Sequence, residues 1–252
     1  MSQTVVRAID ILRFISATGR TLSEVATHLG VHKSTALRLL QTLGKEGFSR
    51  QLPNGAYVTG FGVIALGQRA IDQIDTRAIA HPYLARLSQE SGHTVHLAQL
   101  IGNEVIYVDK IDGPTMMMGS RIGIRAETHS AAVAKVVLAF TDKATREQVI
   151  AMATFHRHTS TTIVTAEALQ RELAQVRVRG WAEDDGEKED YISCVALPIY
   201  DARGSVSLGL SVTALKAVAP IEALRERIPE FRQSALTISR GFGWDGDEYG
   251  QR

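Results

Sequence analysis

The sequence predicts an α+β protein in two parts: a small, mainly helical head ending in a hairpin, and a larger body built on a mainly antiparallel sheet. Three observations predict this. Apolar residues recur at helical spacing through the first forty-odd positions, with a glycine between two of the runs. From about residue 93 the period changes to alternation, in hairpin-like pairs set beside helices rather than in strict strand–helix–strand order. Charge is also unevenly divided. Residues 1–60 hold seven Lys/Arg against three Asp/Glu, a net of +4, while the remainder carries 21 against 24, a net of −3. A basic head on a slightly acidic body suits a chain in which only the head meets a polyanion.

At 252 residues the chain can form one large domain or two modest ones, each with its own core. Apolar residues at 44% and charged residues at 22% describe a soluble globular protein, neither disordered nor membrane-bound. No run of eighteen uncharged apolar residues is present to span a bilayer. Arg7, Asp10 and Arg13 interrupt the apolar start, which no secretory leader core tolerates. The single cysteine, Cys194, excludes an internal disulfide framework and fits a reducing compartment, so a cytoplasmic protein without a membrane partner is expected.

Val5, Ile9 and Leu12, with Ala8 and Ile15, follow the spacing of an amphipathic first helix, broken at "GRT". Thr21 and Glu24 form a capping box that opens a second helix, with Val25, Ala26 and Leu29 on one side. Gly30 supplies a turn able to take positive φ, and Val31 fills the corner. A third helix buries Ala36, Leu39 and Leu40, ends at Leu43, and leaves through Gly44 and Gly47. Small Ala26 and Ala36 let these helices cross closely, the helix-turn-helix arrangement. In "FSRQLPNGAYVTG", Asn54-Gly55 between two β-prone runs predicts a hairpin closed by a primed turn. Three helices and a hairpin make a winged helix-turn-helix over residues 1–60.

The polar side of the third helix holds His32, Lys33, Ser34, Thr35, Arg38 and Thr42, with Asn54 on the hairpin. Hydroxyls and cations at the start of such a helix suit phosphates and base edges, and Arg38 can grip a guanine through two hydrogen bonds. The plainer alternative is a solvated face, or one that docks another protein. Residues 60–92 then read as two helical stretches broken near "IDTR". Val63, Ile64, Leu66, Ala70, Ile71 and Ile74 make the first of these, a linker helix over 61–76, too apolar to stand alone in water. Pairing with a second subunit is expected, with packing on the chain's own body as the alternative.

In the body, residues 77–252, "TVHLAQLI" and "VIYVDKI" form a hairpin around "GNE". Helices follow over 129–140, from about Asp142 to Met152, and from Thr165 to Arg179, the last closed by Gly180. Strands return at "SCVALPIY" and "SVSLGLSV", joined by "DARG", and a final helix runs from Pro220 to Gly241. In these last strands Cys194, Ala196, Ser207, Gly209, Ser211 and Thr213 are small, while Val195, Leu197, Val206, Leu208, Leu210 and Val212 are bulky and apolar. A small, mildly polar face either lines a ligand pocket or faces solvent, and the pattern allows both.

Over nearly its whole length the chain resembles the isocitrate lyase regulator (IclR) family of bacterial transcription factors. The likeness rests on "RAIDILRFI", "LSEVATHLGVHKSTALRLLQTL", "YVTGFGVIALG", "HTVHLAQLIGNEVIYVDKI", "WAEDDGE" and "SCVALPIYD…LGLSV", in that order. The resemblance implies a winged helix-turn-helix, a linker helix that dimerises the heads, and a GAF-like effector domain. It also implies dimers or dimers of dimers that bind double-stranded operator DNA, repressing or activating catabolic operons in response to a small organic or aromatic acid. Lys33, Ser34, Thr35 and Arg38 fall where the family's recognition helix meets DNA. Asp184, Cys194, Ser211 and Thr213 fall where its members hydrogen-bond the effector, and Met118 falls on the apolar pocket wall. Ala132 and Val133 match a segment whose backbone amides receive the effector's carboxylate, a role a helix's first turn suits.

Two stretches depart from the family's pattern. "HSAAVAKV" lacks the usual glycines after the histidine, and "RAETH" replaces the commoner "LPLH", bringing the charged Glu127 close by. Effector identity therefore does not carry over. A rival reading makes the body an enzyme or metabolite-binding protein, with Cys194 as nucleophile and His129 as base, but no oxyanion motif accompanies them. Neither His93 with His96 nor "HRH" at 156–158 is expected to hold a metal. "EDDGEKED" at 183–190 lacks the ligand spacing of a calcium loop and reads as a solvated loop from which Asp184 turns inward. No cofactor is expected.

Overall fold

The computed structural model describes residues 2–72, 75–114 and 119–246. The chain divides into two units, residues 1–74 and 75–252.

The first unit runs α1 (Gln3–Ala17), α2 (Leu22–His28), α3 (Lys33–Lys45), β1 (Ser49–Gln51), β2 (Tyr57–Thr59) and α4 (Phe61–Asp72). Its core is Ile11, Ile15, Val25, Ala26, Ala36, Leu40 and Tyr57. The capping box of α2 is present: the Thr21 hydroxyl accepts from the Glu24 amide, and the Glu24 carboxylate accepts from the Thr21 amide at 2.8 Å. Gly30 takes a φ of +62°, the left-handed conformation that redirects the chain into α3. Two hydrogen bonds between Arg20 and Tyr57, at 2.9 and 2.7 Å, tie the hairpin to the turn before α2.

Details differ from the sequence reading. Of the α1 residues, Ile11 and Ile15 fill the core, while Val5, Val6 and Ile9 face outward. Gly44 lies inside α3, and the exit is made at Gly47, where φ is +77°. The hairpin is not closed by a primed turn. Pro53 fixes a negative φ, Gly55 donates to the Leu52 carbonyl at 2.9 Å, and Gly55 alone of the loop residues has positive φ. The connection is thus a five-residue loop whose Ala56 amide is capped by the Asn54 side chain at 3.1 Å.

The second unit runs α5 (Thr76–Ser91), β3 (Thr94–Ile101), β4 (Glu104–Ile111), α6 (Ala132–Phe140), α7 (Lys143–Ala151) and α8 (Ala166–Arg179). It continues with β5 (Ala182–Asp185), β6 (Ile192–Tyr200), β7 (Val206–Leu215), α9 (Ile221–Glu226) and α10 (Ile228–Gly241). Its five strands are ordered β4-β3-β7-β6-β5, every neighbouring pair antiparallel. The bulky face carries Leu97, Val195, Leu197, Leu210 and Val212 into a core with Leu84 of α5, Leu224 of α9 and Phe231 of α10. The small face carries Ala98, Cys194 and Ala196 against Val133 and Val137 of α6 and Leu169 of α8. Every residue of β6 is buried, so the small face is not the solvent side of the sheet.

Two helix boundaries shift. Residues 128–130 form a turn ahead of α6 and Ala131 is its N-cap, the segment held by the Ala131 amide on the Glu127 carbonyl at 3.1 Å and by Ser130 Oγ on the Glu127 carboxylate at 2.9 Å. The final helix is split at Arg227 because Pro229, at the start of α10, has no N–H to continue the ladder. The 183–190 run is not wholly a solvated loop either: residues 183–185 belong to β5, and Glu187 is buried as well as Asp184. Among the described residues no helix is long and apolar enough to cross a membrane.

Candidate functional site

Two regions concentrate the polar residues singled out from the sequence, one in each unit. In the first, His32 is the N-cap of α3, followed by Lys33, Ser34, Thr35 and Arg38, all exposed, as is Asn54 on the hairpin loop. The reason is the helical period: Ala36 and Leu40 take the buried side, so 34, 35 and 38 fall on the other. Neither Lys33 nor Arg38 makes an ion pair with another described residue, so both cations are open to an outside anion. The first-turn amides of α3 add positive dipole character on the same side.

In the second unit the strand register gathers the rest. Asp184 stands opposite Cys194, Cys194 opposite Thr213, and Ser211 between Ala196 and His96. Directly paired residues share a face, so these rows lie on the small face of the sheet. They line a cavity of about 430 Å³, closed on another side by Ala131, Ala132 and Val133 at the start of α6. Six of the seven residues expected around an effector therefore border one cavity, and Met118 lies outside the described residues. The Ala132 and Val133 amides, in the first turn of α6, find no acceptor among the described residues.

Further cavity residues were not singled out from the sequence: Tyr107, Ser120, Ile124, Arg125, Lys188, Glu189 and Ile192; His96 was weighed only as a metal ligand, and Glu127 only as a charge nearby. Tyr107 reaches it through a bulge. The β3–β4 register slips between Leu97 and Ala98, so Ala98 faces Tyr107 and Val108 is left over. Without that slip, strict alternation would turn Tyr107 to the opposite face. His96 was legible, since it shares strand parity with Thr94 and Ala98, but its role depends on Ser120, which its Nε2 meets at 2.7 Å. Its Nδ1 is buried and has no partner among the described residues.

Burial sets the charge states. It lowers His96 to about 4, helped by the Lys110 ammonium, so the ring is neutral at pH 7. It raises Asp184 to about 6 against the pull of Lys135, and pushes the Cys194 thiol up to about 12. A thiol held protonated is a poor nucleophile, and Cys194 instead accepts a hydrogen bond from Thr213 at 3.2 Å. Behind the cavity, fully buried Lys135 pairs with Glu187 at 2.5 Å, and burial raises the Glu187 carboxyl to about 7 despite that partner. At Glu127, burial alone would raise the carboxyl, but hydrogen bonds from Lys188, Ser130 and His158 outweigh it and hold it below the usual range.

An exposed helix after a glycine turn, followed by a hairpin and joined in one chain to a sheet whose small face encloses a polar cavity, is the make-up of a DNA-binding regulator. The comparisons agree. Residues 4–53 match the IclR helix-turn-helix domain, and residues 68–240 match the C-terminal domain of the bacterial transcriptional regulator IclR. The chain belongs to the IclR family of transcriptional regulators. It is 33% identical to the HTH-type transcriptional regulator XynR of Escherichia coli K12 over 96% of this chain and 98% of that protein. It is 32% identical to the regulator KdgR of the same organism, over 88% of this chain and 86% of that one. The crystal structure of the Thermotoga maritima IclR superposes with a TM-score of 0.64 at 31% identity, covering 96% of this chain and 99% of that one. These relatives are regulators, not enzymes, and the protonated thiol of Cys194 accords with that.

Proposed function

We propose that this regulator binds its operator through His32, Lys33, Ser34, Thr35, Arg38 and Asn54, and that a small organic acid in the cavity alters its affinity for that DNA. In this reading residues 1–60 bind DNA, the linker segment 61–76, which contains α4, joins two subunits into a dimer or dimer of dimers, and residues 77–252 bind the effector. The genes controlled are those of a catabolic operon. The convergence of Ala132, Val133, Asp184, Cys194, Ser211 and Thr213 on one cavity carries the effector part. A carboxylate fits the two open amides of α6, while the hydroxyls, the thiol and neutral His96 suit a polar or aromatic remainder. Phe61, Ile64 and Leu66 of α4, 74%, 67% and 59% exposed, are the apolar residues available to a second subunit. In a dimer, two α3 helices would enter successive major grooves about 34 Å apart.

Mobility shift on the chain's own upstream intergenic DNA, at two salt concentrations and with candidate acids added, tests the whole reading. A salt-sensitive, sequence-specific shift altered by a particular acid is expected. Arg38→Ala should lower specific operator affinity about 5- to 150-fold, the loss of a bidentate base contact worth about 1–3 kcal/mol. Unchanged binding by that variant would remove α3 from the DNA interface. Ser211→Ala should weaken the response to the acid and leave the shift itself intact; an unaltered response would place the effector elsewhere.

A further inference from the structure

Beside the effector cavity, three side chains far apart in sequence come together. Glu127 precedes α6 by five residues, His129 by three, and His158 belongs to the segment between α7 and α8. One ligand atom from each lies within 4.8 Å of the other two. His158 Nε2 meets the Glu127 carboxylate at 2.6 Å, and the other carboxylate oxygen holds the Lys188 ammonium. We propose that Glu127, His129 and His158 form a binding site for a divalent transition-metal ion of the zinc class, bordering the effector cavity.

The ligand set is the first support. Two imidazoles and one carboxylate are a three-ligand zinc set that leaves a fourth position for water or a small ligand. Ligands about 2.1 Å from a tetrahedral ion stand about 3.4 Å apart, so a pair at the 4.8 Å limit would close by about 1.4 Å. Orientation is the second. His129 Nε2 lies 2.9 Å from the carbonyl of His156, so it carries the proton and leaves Nδ1 with its lone pair. Metal-binding histidines are commonly fixed by a carbonyl in this way. Ser130 Oγ does the same for the Glu127 carboxylate at 2.9 Å. The site also already attracts a cation. Lys188 sits on Glu127, and its side chain is 43% exposed, so an incoming ion can displace its ammonium into water. Glu127 and Lys188 both line the cavity, so an ion held there would offer an acidic effector a Lewis-acid contact.

The test needs the metal alone and is independent of DNA or effector. Full-length protein freed of metal by chelation is titrated with Zn²⁺ in a calorimeter, and with Co²⁺ followed by visible absorption. The expected result is one ion per chain and the intense Co²⁺ spectrum of a tetrahedral site. Glu127→Gln and His158→Ala, whose side chains are not fully buried, should each weaken Zn²⁺ at least about 10-fold and lose the Co²⁺ signal. Lys188→Met should tighten it, because the competing ammonium is gone; a cluster that is only a hydrogen-bonded clasp predicts no such gain. Absence of stoichiometric binding would overturn the proposal. So would binding that Glu127→Gln and His158→Ala leave unchanged, since the ion would then sit on other histidines or on Cys194.

Discussion

Asp184 shows how one buried group couples the cavity to pH. Its carboxyl titrates near 6 in the folded chain against 3.8 ordinarily, so between those values the native state holds a proton that the unfolded chain has released. Stability from this group is therefore present below about pH 4 and is lost as pH rises through 6, a change of about 3 kcal/mol. His96, lowered to about 4, acts in the opposite sense, so the whole-protein profile hides both. The difference between wild type and Asp184→Asn isolates the first. Chemical denaturation from pH 4 to 8 should show the variant gaining on wild type through pH 6 and holding level above it. A difference that does not change with pH would mean that the carboxyl stays ionised across the range. The sequence marked Asp184 as the inward residue of an acidic run. It could not mark Glu187, because that burial depends on Lys135, which is 52 positions away and fully enclosed.

At the scale of elements, alternation along β6 and β7 was enough to separate a bulky face from a small one, and the small face was enough to suggest a pocket. What alternation cannot carry is a slip in register, so parity alone could not show that Tyr107 faces the cavity, where the bulge turns it. The winged head was legible because its signals are local: a capping box, a glycine turn and a 3.6-residue period. Its misread turn came from weighing Asn54-Gly55 without the proline before it, whose fixed φ governs the loop. Gly209 shows what small residues do for the packing of α6 on β7. A Cβ there would stand 3.0 Å from methyl groups of Val133 and Val137 and 3.1 Å from one of Val136. β-branched side chains in a helix have one strongly preferred χ1 and yield little. Crowding of this kind costs about 1–3 kcal/mol, against a gain of about 0.5–1 kcal/mol from replacing glycine in a strand. Gly209→Ala should therefore lose about 1 kcal/mol in denaturant and, by moving Val133, alter effector affinity. A variant as stable as wild type would show that α6 is free to shift.

For the whole molecule, the distribution of charge and of exposed apolar side chains makes one joint prediction about assembly and DNA. Lys33 and Arg38, open to phosphate, lie on the head, and α4 at the end of the same unit exposes Phe61, Ile64 and Leu66. Large apolar side chains cost free energy in water unless covered, and a second copy of the helix covers both at once. If two heads bind one operator, the second contact becomes intramolecular and raises affinity about 10²–10⁴-fold. Ile64→Asp combined with Leu66→Asp should then yield a monomer by analytical ultracentrifugation, with operator affinity reduced on that scale. Neither residue is on α3, so a monomer should retain weak, salt-dependent half-site binding. The slope of log affinity against log salt should fall to about half, because the number of phosphates neutralised per complex is halved. An unchanged assembly would move the subunit contact off α4. A monomer that keeps full affinity and full salt slope would mean that a single head, rather than a pair, recognises the operator.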